Sequence, residues 1–298
     1  MDVVISGGSG LIGSALTTSL QADGHRVRPL VRGGVSGGDK IGWDPETGRV
    51  DAAALEAVDA VVNLAGEGIG ERKWTDEQKH RIRDSRVRGT AALAAAVAGL
   101  EQKPRVFISG SAVGYYGDRG DELLTEQSAP GDDFLAELCQ SWEAETQPVA
   151  DAGVRTVVIR TGIVLAKQGG ALAPLLLPFK LGLGGKQGSG KQWMSWIALV
   201  DEVAAIRTAI DNEQFGGPVN LVAPNATTNE EFARTLGRVL HRPTVLPTPM
   251  FPLKLRFGAE LVDTLLLSGQ HVTPGALESA GFTFRQPVLT GALESIVA

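Results

Sequence analysis

Cysteine is nearly missing: Cys139 is the only one in 298 residues, which excludes an intramolecular disulfide and fits a reducing compartment. No uninterrupted apolar run reaches the roughly 18 residues that a bilayer-spanning helix needs, so no membrane partner is expected. The net charge is −6 and no stretch is dense in Lys or Arg, which argues against a general electrostatic grip on nucleic acid. Four histidines lie scattered without metal-ligand spacing, so no metal site is expected. The first residues lack the basic and apolar regions of a signal peptide, and cytoplasmic residence is the expectation. What these absences leave is a small-molecule partner.

What is present begins with a core: 298 residues at 43% hydrophobic composition suffice for one large domain or two closely joined ones. The most informative stretch is DVVISGGSGLIGSALTTSL, from Asp2 to Leu20. An apolar strand runs into Gly7, Ser9, Gly10, Leu11, Ile12 and Gly13, and then into a helix. Gly7 turns the chain off the strand, Gly10 lets backbone approach a pyrophosphate, and Gly13 lets the helix pack closely on the sheet. Helix N-terminal N–H groups then face the anion. The spacing G-x-x-G-x-x-G is one residue longer than the G-x-G-x-x-G dinucleotide fingerprint.

Further along, β-rich runs at Arg26–Val31, Ala60–Leu64, Arg105–Ser109 and Val154–Ile159 alternate with helical patterns at Ser14–Ala22, Thr75–Leu100 and Asp132–Asp151. In the last of these, Phe134, Leu138 and Trp142 recur at i, i+4, i+8. This is how a parallel sheet covered on both faces reads, and right-handed crossovers make a doubly wound α/β Rossmann fold the simplest topology. After Leu165 the alternation gives way to a glycine- and proline-rich insertion. Met194–Leu199, a helix at Asp201–Asn212, and Pro218–Val222 read as a return to the sheet. The expected organisation is a dinucleotide-binding domain of residues 1–165 plus about 194–224. A smaller, mostly helical substrate lobe takes about 166–193 plus 225–298.

The second strand ends at Val31-Arg32, where an NAD site commonly places an Asp or Glu on the ribose 2′-hydroxyl. Arg32 instead offers a guanidinium suited to a 2′-phosphate, which favours NADP(H); the alternative is an ordinary solvated strand-end charge.

The segments GGSGLIG (Gly7–Gly13), VVNLAGEGI (Val61–Ile69), SGSAVGYYG (Ser109–Gly117), FLAELCQSWE (Phe134–Glu143), RTGIVL (Arg160–Leu165), the long run Gly169–Ile197 and VNLVAPN (Val219–Asn225) resemble the extended short-chain dehydrogenase/reductases. Within them the chain is similar to the atypical, YfcH-like "epimerase family". The resemblance implies that Asn63, Leu64, Ala65 and Gly66 lie against the adenine and ribose side of the cofactor. By the same resemblance Ser109, Gly110 and Ser111 end near the nicotinamide, and Arg160, Thr161 and Gly162 contribute backbone contacts there. It also implies a loop with Glu67, Arg72 and Trp74 capping a substrate cavity. The segment Gln192–Asp201 resembles the superfamily's substrate-lobe strand, with Ala198 in place of the usual histidine; the resemblance implies Trp193, Ser195 and Trp196 as lining the substrate, the alternative being core tryptophans.

The chain departs from the superfamily's chemistry. Carbonyl reduction needs a proton donor beside the oxygen, which the superfamily supplies with a Tyr-x-x-x-Lys pair. Here the tyrosine position falls at Phe134 or Leu135 and the lysine position at Leu138 or Cys139, while the expected helix-four asparagine aligns with Arg86. Ser111 is retained. Tyr115 and Tyr116 are the only tyrosines, and Arg119 follows Tyr115 by four residues. One reading makes one of them the acid, and the other makes them aromatic packing. Cys139, on an apolar helix face with no histidine near in sequence, reads as a core thiol. Glu143 either orients a neighbour or faces solvent, and Lys186 and Lys191 either meet an anionic substrate such as a nucleotide sugar or are solvated. Two functions are expected: an NADP(H)-dependent oxidoreductase or epimerase-like enzyme on a small polar substrate or, from the missing Tyr and Lys, an NADPH-sensing regulatory or scaffold protein, which the resemblance to plastid members of the family would link to division.

Overall fold

The computed structural model describes residues 1–33 and 36–297. Eight strands form the main sheet: β1 (Asp2–Ser6), β2 (Arg26–Arg32), β3 (Ile41–Asp44), β4 (Arg49–Val50), β5 (Ala60–Asn63), β6 (Val106–Ala112), β7 (Arg155–Thr161) and β8 (Gly217–Leu221). Their order is β8-β7-β6-β5-β1-β2-β3-β4, parallel throughout except for the β3–β4 pair. The helices that matter below are α1 (Leu11–Ala22), α2 (Asp76–Ala98), α3 (Phe134–Ala144), α4 (Ala173–Lys180), α5 (Leu199–Asp211), α6 (Asn229–Val239) and α7 (Met250–Phe257).

Both faces of the sheet are covered, which is why its central strands are apolar without alternation. Val3 and Ile5 of β1 pack with Leu16 and Leu20 of α1 and Ile206 and Ile210 of α5. Val4, between them in sequence, points to the opposite face and packs with Leu93 and Val97 of α2. From β1 the chain adds β2 and β3 on one side and β5 to β8 on the other, so the order reverses between β1 and β5. Such a reversal is where open α/β sheets bind their ligands, in a crevice beyond the carboxyl ends of the strands.

Local chemistry moves several boundaries. α1 begins at Leu11 rather than Ser14 because Gly10 is its N-cap. Thr75 caps α2, its hydroxyl accepting from the Gln78 N–H, an interaction worth about 1 kcal/mol. The single helix expected over Asp132–Asp151 divides into α3 and a short helix at Gln147–Asp151 with Pro148 in its first turn. β8 joins the main sheet, but Trp196–Ala198 does not: it pairs with Ile163–Ala166, which also pairs with Gly169–Gly170, in a separate three-stranded sheet. Beyond β8 the chain is mostly helical. Among the described residues no helix is long and apolar enough to cross a membrane.

Candidate functional site

The three glycines of the first loop do three different things. Gly7 sits at φ +69°, and a Cβ there would lie 2.7 Å from the Leu64 carbonyl, so the loop is pressed against the segment after β5. A Cβ on Gly13 would lie 2.2 Å from the Gly7 oxygen; Gly13 seats α1 on the loop's own backbone, where packing on the sheet was expected. Gly10 meets nothing closer than the Gly7 oxygen, 3.3 Å away, leaving its Cα open to an approaching group. The first helical bond runs from Ser14 N–H to Gly10 O at 2.9 Å, so the amides of Leu11, Ile12 and Gly13 have no helical acceptor. No side chain caps them and no acid stands in the first turn. Ser9 is exposed beside them. The arrangement is ready for an anion.

The crevice wall is held by a buried polar chain. Ser6 Oγ donates to Asn63 Oδ1 at 2.6 Å and accepts from the Leu64 and Ala65 amides. Asn63 Nδ2 and Trp142 Nε1 both donate to Thr90 Oγ1 at 2.8 Å. Asn63 is therefore a brace between β1, β5 and α2, and its side chain is spent on protein. Gly110 has the same character, since a Cβ would stand 3.0 Å from the Trp142 ring; Ser109 is fully buried. Gly66 is different: a Cβ would lie 2.9 Å from the Arg86 guanidinium carbon. Arg86 is half-buried, donates to Ile82 O, lies 5.3 Å from the Trp142 ring centroid and makes no ion pair among the described residues. Burial lowers its pKa. Where the sequence reads only a lost asparagine, the structure puts a cation. Arg32, ending β2, is exposed and likewise without an ion pair among the described residues.

A second network lies across the ends of β6, β7 and β8. Arg160 is buried and donates through Nε and Nη2 to the two oxygens of Glu143, at 2.9 and 2.8 Å. Ser111 Oγ donates to the same Glu143 at 2.6 Å. Arg160 Nη1 reaches the Tyr116 hydroxyl at 3.1 Å, and that hydroxyl donates to Asn220 Oδ1 at 2.7 Å. Burial opposes the guanidinium's charge, yet Glu143 more than offsets it and holds the arginine's pKa above its ordinary value. The Arg160 side chain is thus spent on protein partners.

The two tyrosines separate. Tyr116 is fully buried, both functions of its hydroxyl are satisfied, and burial raises its pKa although Arg160 opposes the rise. The expectation that it could be the acid is corrected: it is a structural brace. Tyr115 is half-buried, with the Arg160 guanidinium carbon 3.4 Å from its ring centroid, and its hydroxyl forms no hydrogen bond among the described residues. The Arg119 partnership fails, because Arg119 pairs with Glu122 and the Ala129 carbonyl. Cys139 is buried, its pKa pushed up to about 11 chiefly by burial, and its Sγ faces the Ala112 carbonyl, as a core thiol would.

The remaining positions are less uniform. Thr161 Oγ1 donates to Glu202 Oε1 at 2.8 Å; Glu202 is fully buried, its other oxygen has no partner among the described residues, and burial pushes its pKa up to about 8. Nothing in the sequence marks this acid. A Cβ on Gly162 would strike the Ser195 carbonyl at 2.4 Å, so this glycine admits the strand beside it. Trp196 is fully buried and donates to Asn225 O, which corrects the expectation of a substrate contact. Ser195 bonds to Gln270 O and the Val272 N–H, again structurally. Trp193 is half-buried, stacked on His271 with centroids 3.7 Å apart, and bonded to Asp121. Glu67 is half-buried, its N–H held by Ser85, while Trp74 packs edge-on against Phe134 and under Leu261 and Val262. Lys186 lies 3.6 Å from Glu230, and Lys191 is exposed.

Residues 3–222 match the family model described as the NAD dependent epimerase/dehydratase family, and residues 248–296 match a domain of unknown function. Epimerase family protein ML0860 of Mycobacterium leprae is 44% identical over 291 residues, covering 98% of this chain and 94% of its own. The crystal structure of human epimerase family protein SDR39U1 (isoform 2) with NADPH superposes with a TM-score of 0.91 at 37% identity, covering 99% of both chains. A nucleoside-diphosphate sugar epimerase from Corynebacterium glutamicum gives a TM-score of 0.82 at 39% identity, covering all of this chain and 58% of that one. The glycine loop, the strand order and these matches converge: the chain belongs to the NAD-dependent epimerase/dehydratase family.

Proposed function

We propose that the chain binds NADP(H) in the crevice between β1 and β5. The observation that carries this is an uncapped helix N-terminus, reached over the open face of Gly10, with the unpaired Arg32 at the end of the neighbouring strand. The residues fit the group. The amides of Leu11, Ile12 and Gly13 suit a pyrophosphate, Arg32 suits a 2′-phosphate, and the Leu64–Gly66 backbone with Arg86 forms the adjoining wall. NADPH on the human relative supports the same reading.

On that cofactor the chain acts as an oxidoreductase or epimerase-like enzyme on a small polar substrate, of the nucleotide-sugar kind named for the Corynebacterium relative. A bound nicotinamide supplies hydride exchange. Tyr115 supplies the proton to the substrate oxygen, its ring held in place on the Arg160 guanidinium. Glu143 fixes Arg160 and Ser111 together at the strand ends. The substrate side is the helical lobe of about residues 166–193 and 225–298, with Trp193 and Glu67 at its entrance.

A second reading has an observation in its favour: the helix that should carry the Tyr-x-x-x-Lys pair has neither residue, holding Phe134 or Leu135 and Leu138 or Cys139 at the two positions instead. The chain would then sense NADPH, as a regulatory or scaffold protein linked to division. Following NADPH oxidation across carbonyl and nucleotide-sugar panels separates the two. Turnover with any substrate supports the enzyme, and stabilisation by NADPH without turnover supports the sensor.

A further inference from the structure

Two stretches of this acidic chain contain no carboxylate. Residues 166–193 carry four lysines and no Asp or Glu, and residues 232–257 carry five Lys or Arg and no Asp or Glu. The fold lays them side by side. Arg242 donates to Lys180 O, the Thr248 N–H to Lys186 O and Thr248 Oγ1 to Gly185 O.

This joined surface is also apolar. On and just after α4, Leu177, Leu181 and Leu183 are each more than 60% exposed, and across the seam Val245 and Leu246 stand out at 86% and 67%. α7 follows directly, with the sequence MFPLKLRF. Its Met250, Leu253 and Phe257 pack inward near Trp74 and Leu261, while Phe251 and Leu255, at i, i+4, face out at 78% and 76% exposure. A helix apolar on both faces belongs between two apolar media, and only one of them is the protein. Its remaining residues besides Pro252 are Lys254, which pairs with Asp263, and Arg256; on the joined surface Lys186 and Arg234 pair with Glu230, while Arg256, Arg242 and Lys180 make no ion pair among the described residues.

We propose that this face lies on an anionic lipid bilayer, with the leucines and Phe251 entering the headgroup boundary and Lys180, Arg242 and Arg256 meeting lipid phosphates. Charge complementarity selects the partner. A second copy joined through the same face would bring these cations against their own kind. Exposed Leu and Phe spread over three adjoining segments, interleaved with Lys and Arg, form the composition that binds in the interface plane. The lack of a spanning segment, which underlies the expectation of no membrane partner, does not bear on a protein that lies on the surface.

The test is flotation of the full chain with phosphatidylcholine vesicles, with or without about 30% phosphatidylglycerol. The expected result is capture by the anionic vesicles alone, weakened by about 1 M salt and lowered about tenfold in the double variant Phe251→Ser, Leu255→Ser. These side chains are exposed, so the variant should melt with the parent; Leu177→Ser with Leu246→Ser is the independent second variant. Absence of capture overturns the proposal, as does capture that neither double variant changes. So does a concentration-dependent dimer, formed without lipid, that the same substitutions dissolve.

Discussion

The Arg160 guanidinium is sandwiched by function: its carbon lies 3.4 Å from the Tyr115 ring centroid while its nitrogens hold both oxygens of Glu143. One buried cation thus positions a tyrosine with a free hydroxyl and, through Glu143, the Ser111 hydroxyl.

Tyr115 and Tyr116 should therefore fail differently. Tyr115→Phe is expected to abolish turnover with little change in stability or NADPH affinity. Tyr116→Phe removes two buried hydrogen bonds and leaves Asn220 Oδ1 without its donor, at a cost of about 1–3 kcal/mol in denaturant unfolding. A Tyr115→Phe protein that turns over normally would remove this tyrosine from the mechanism.

Glu202 makes stability fall as pH rises. Its pKa is raised from 4.5 to about 8 on folding, because burial disfavours the carboxylate. The folded state therefore holds a proton that the unfolded chain releases, and the associated stability is complete below about pH 4.5 and lost by about pH 8. Glu202→Gln keeps a neutral group beside Thr161 and should flatten this slope, gaining on the order of a few kcal/mol relative to the parent at pH 9. Unfolding free energies measured from pH 5 to pH 9 check it; parallel curves for parent and variant would refute it.

The glycines of the first loop divide into one for binding and one for folding. Gly13→Ala forces a Cβ against the Gly7 oxygen and should destabilise the apo protein by about 1–3 kcal/mol. Gly10→Ala meets only the Gly7 oxygen, at a tight 3.3 Å, and replaces the α1 cap residue, so it should cost the apo protein less than Gly13→Ala, about 1 kcal/mol or under, yet lose NADPH-induced stabilisation. Equal apo melting losses in both would contradict the division.

Strand, loop and first helix are legible in the sequence because burial on both faces forces an unbroken apolar run and because only glycine fits Gly7 and Gly13. The small strands β3 and β4 and the sheet formed by Ile163–Ala166 escape such a reading: they are short, and their pairing is set by tertiary contact. Site residues divide similarly. A glycine-rich loop names its own chemistry, whereas Asn63, Arg160 and Tyr116 have the right residue types and positions but turn inward to partners distant in sequence. Glu202 carries no local signal, being an ordinary first-turn acid until the neighbouring elements enclose it.

The most direct measurement is calorimetric titration of the chain and its Arg32→Ala variant with NADPH and NADH. NADPH should bind the parent about tenfold or more tightly than NADH, with the difference lost in the variant and NADH affinity nearly unchanged. Equal affinity of the parent for both nucleotides, or no binding of either, would contradict it.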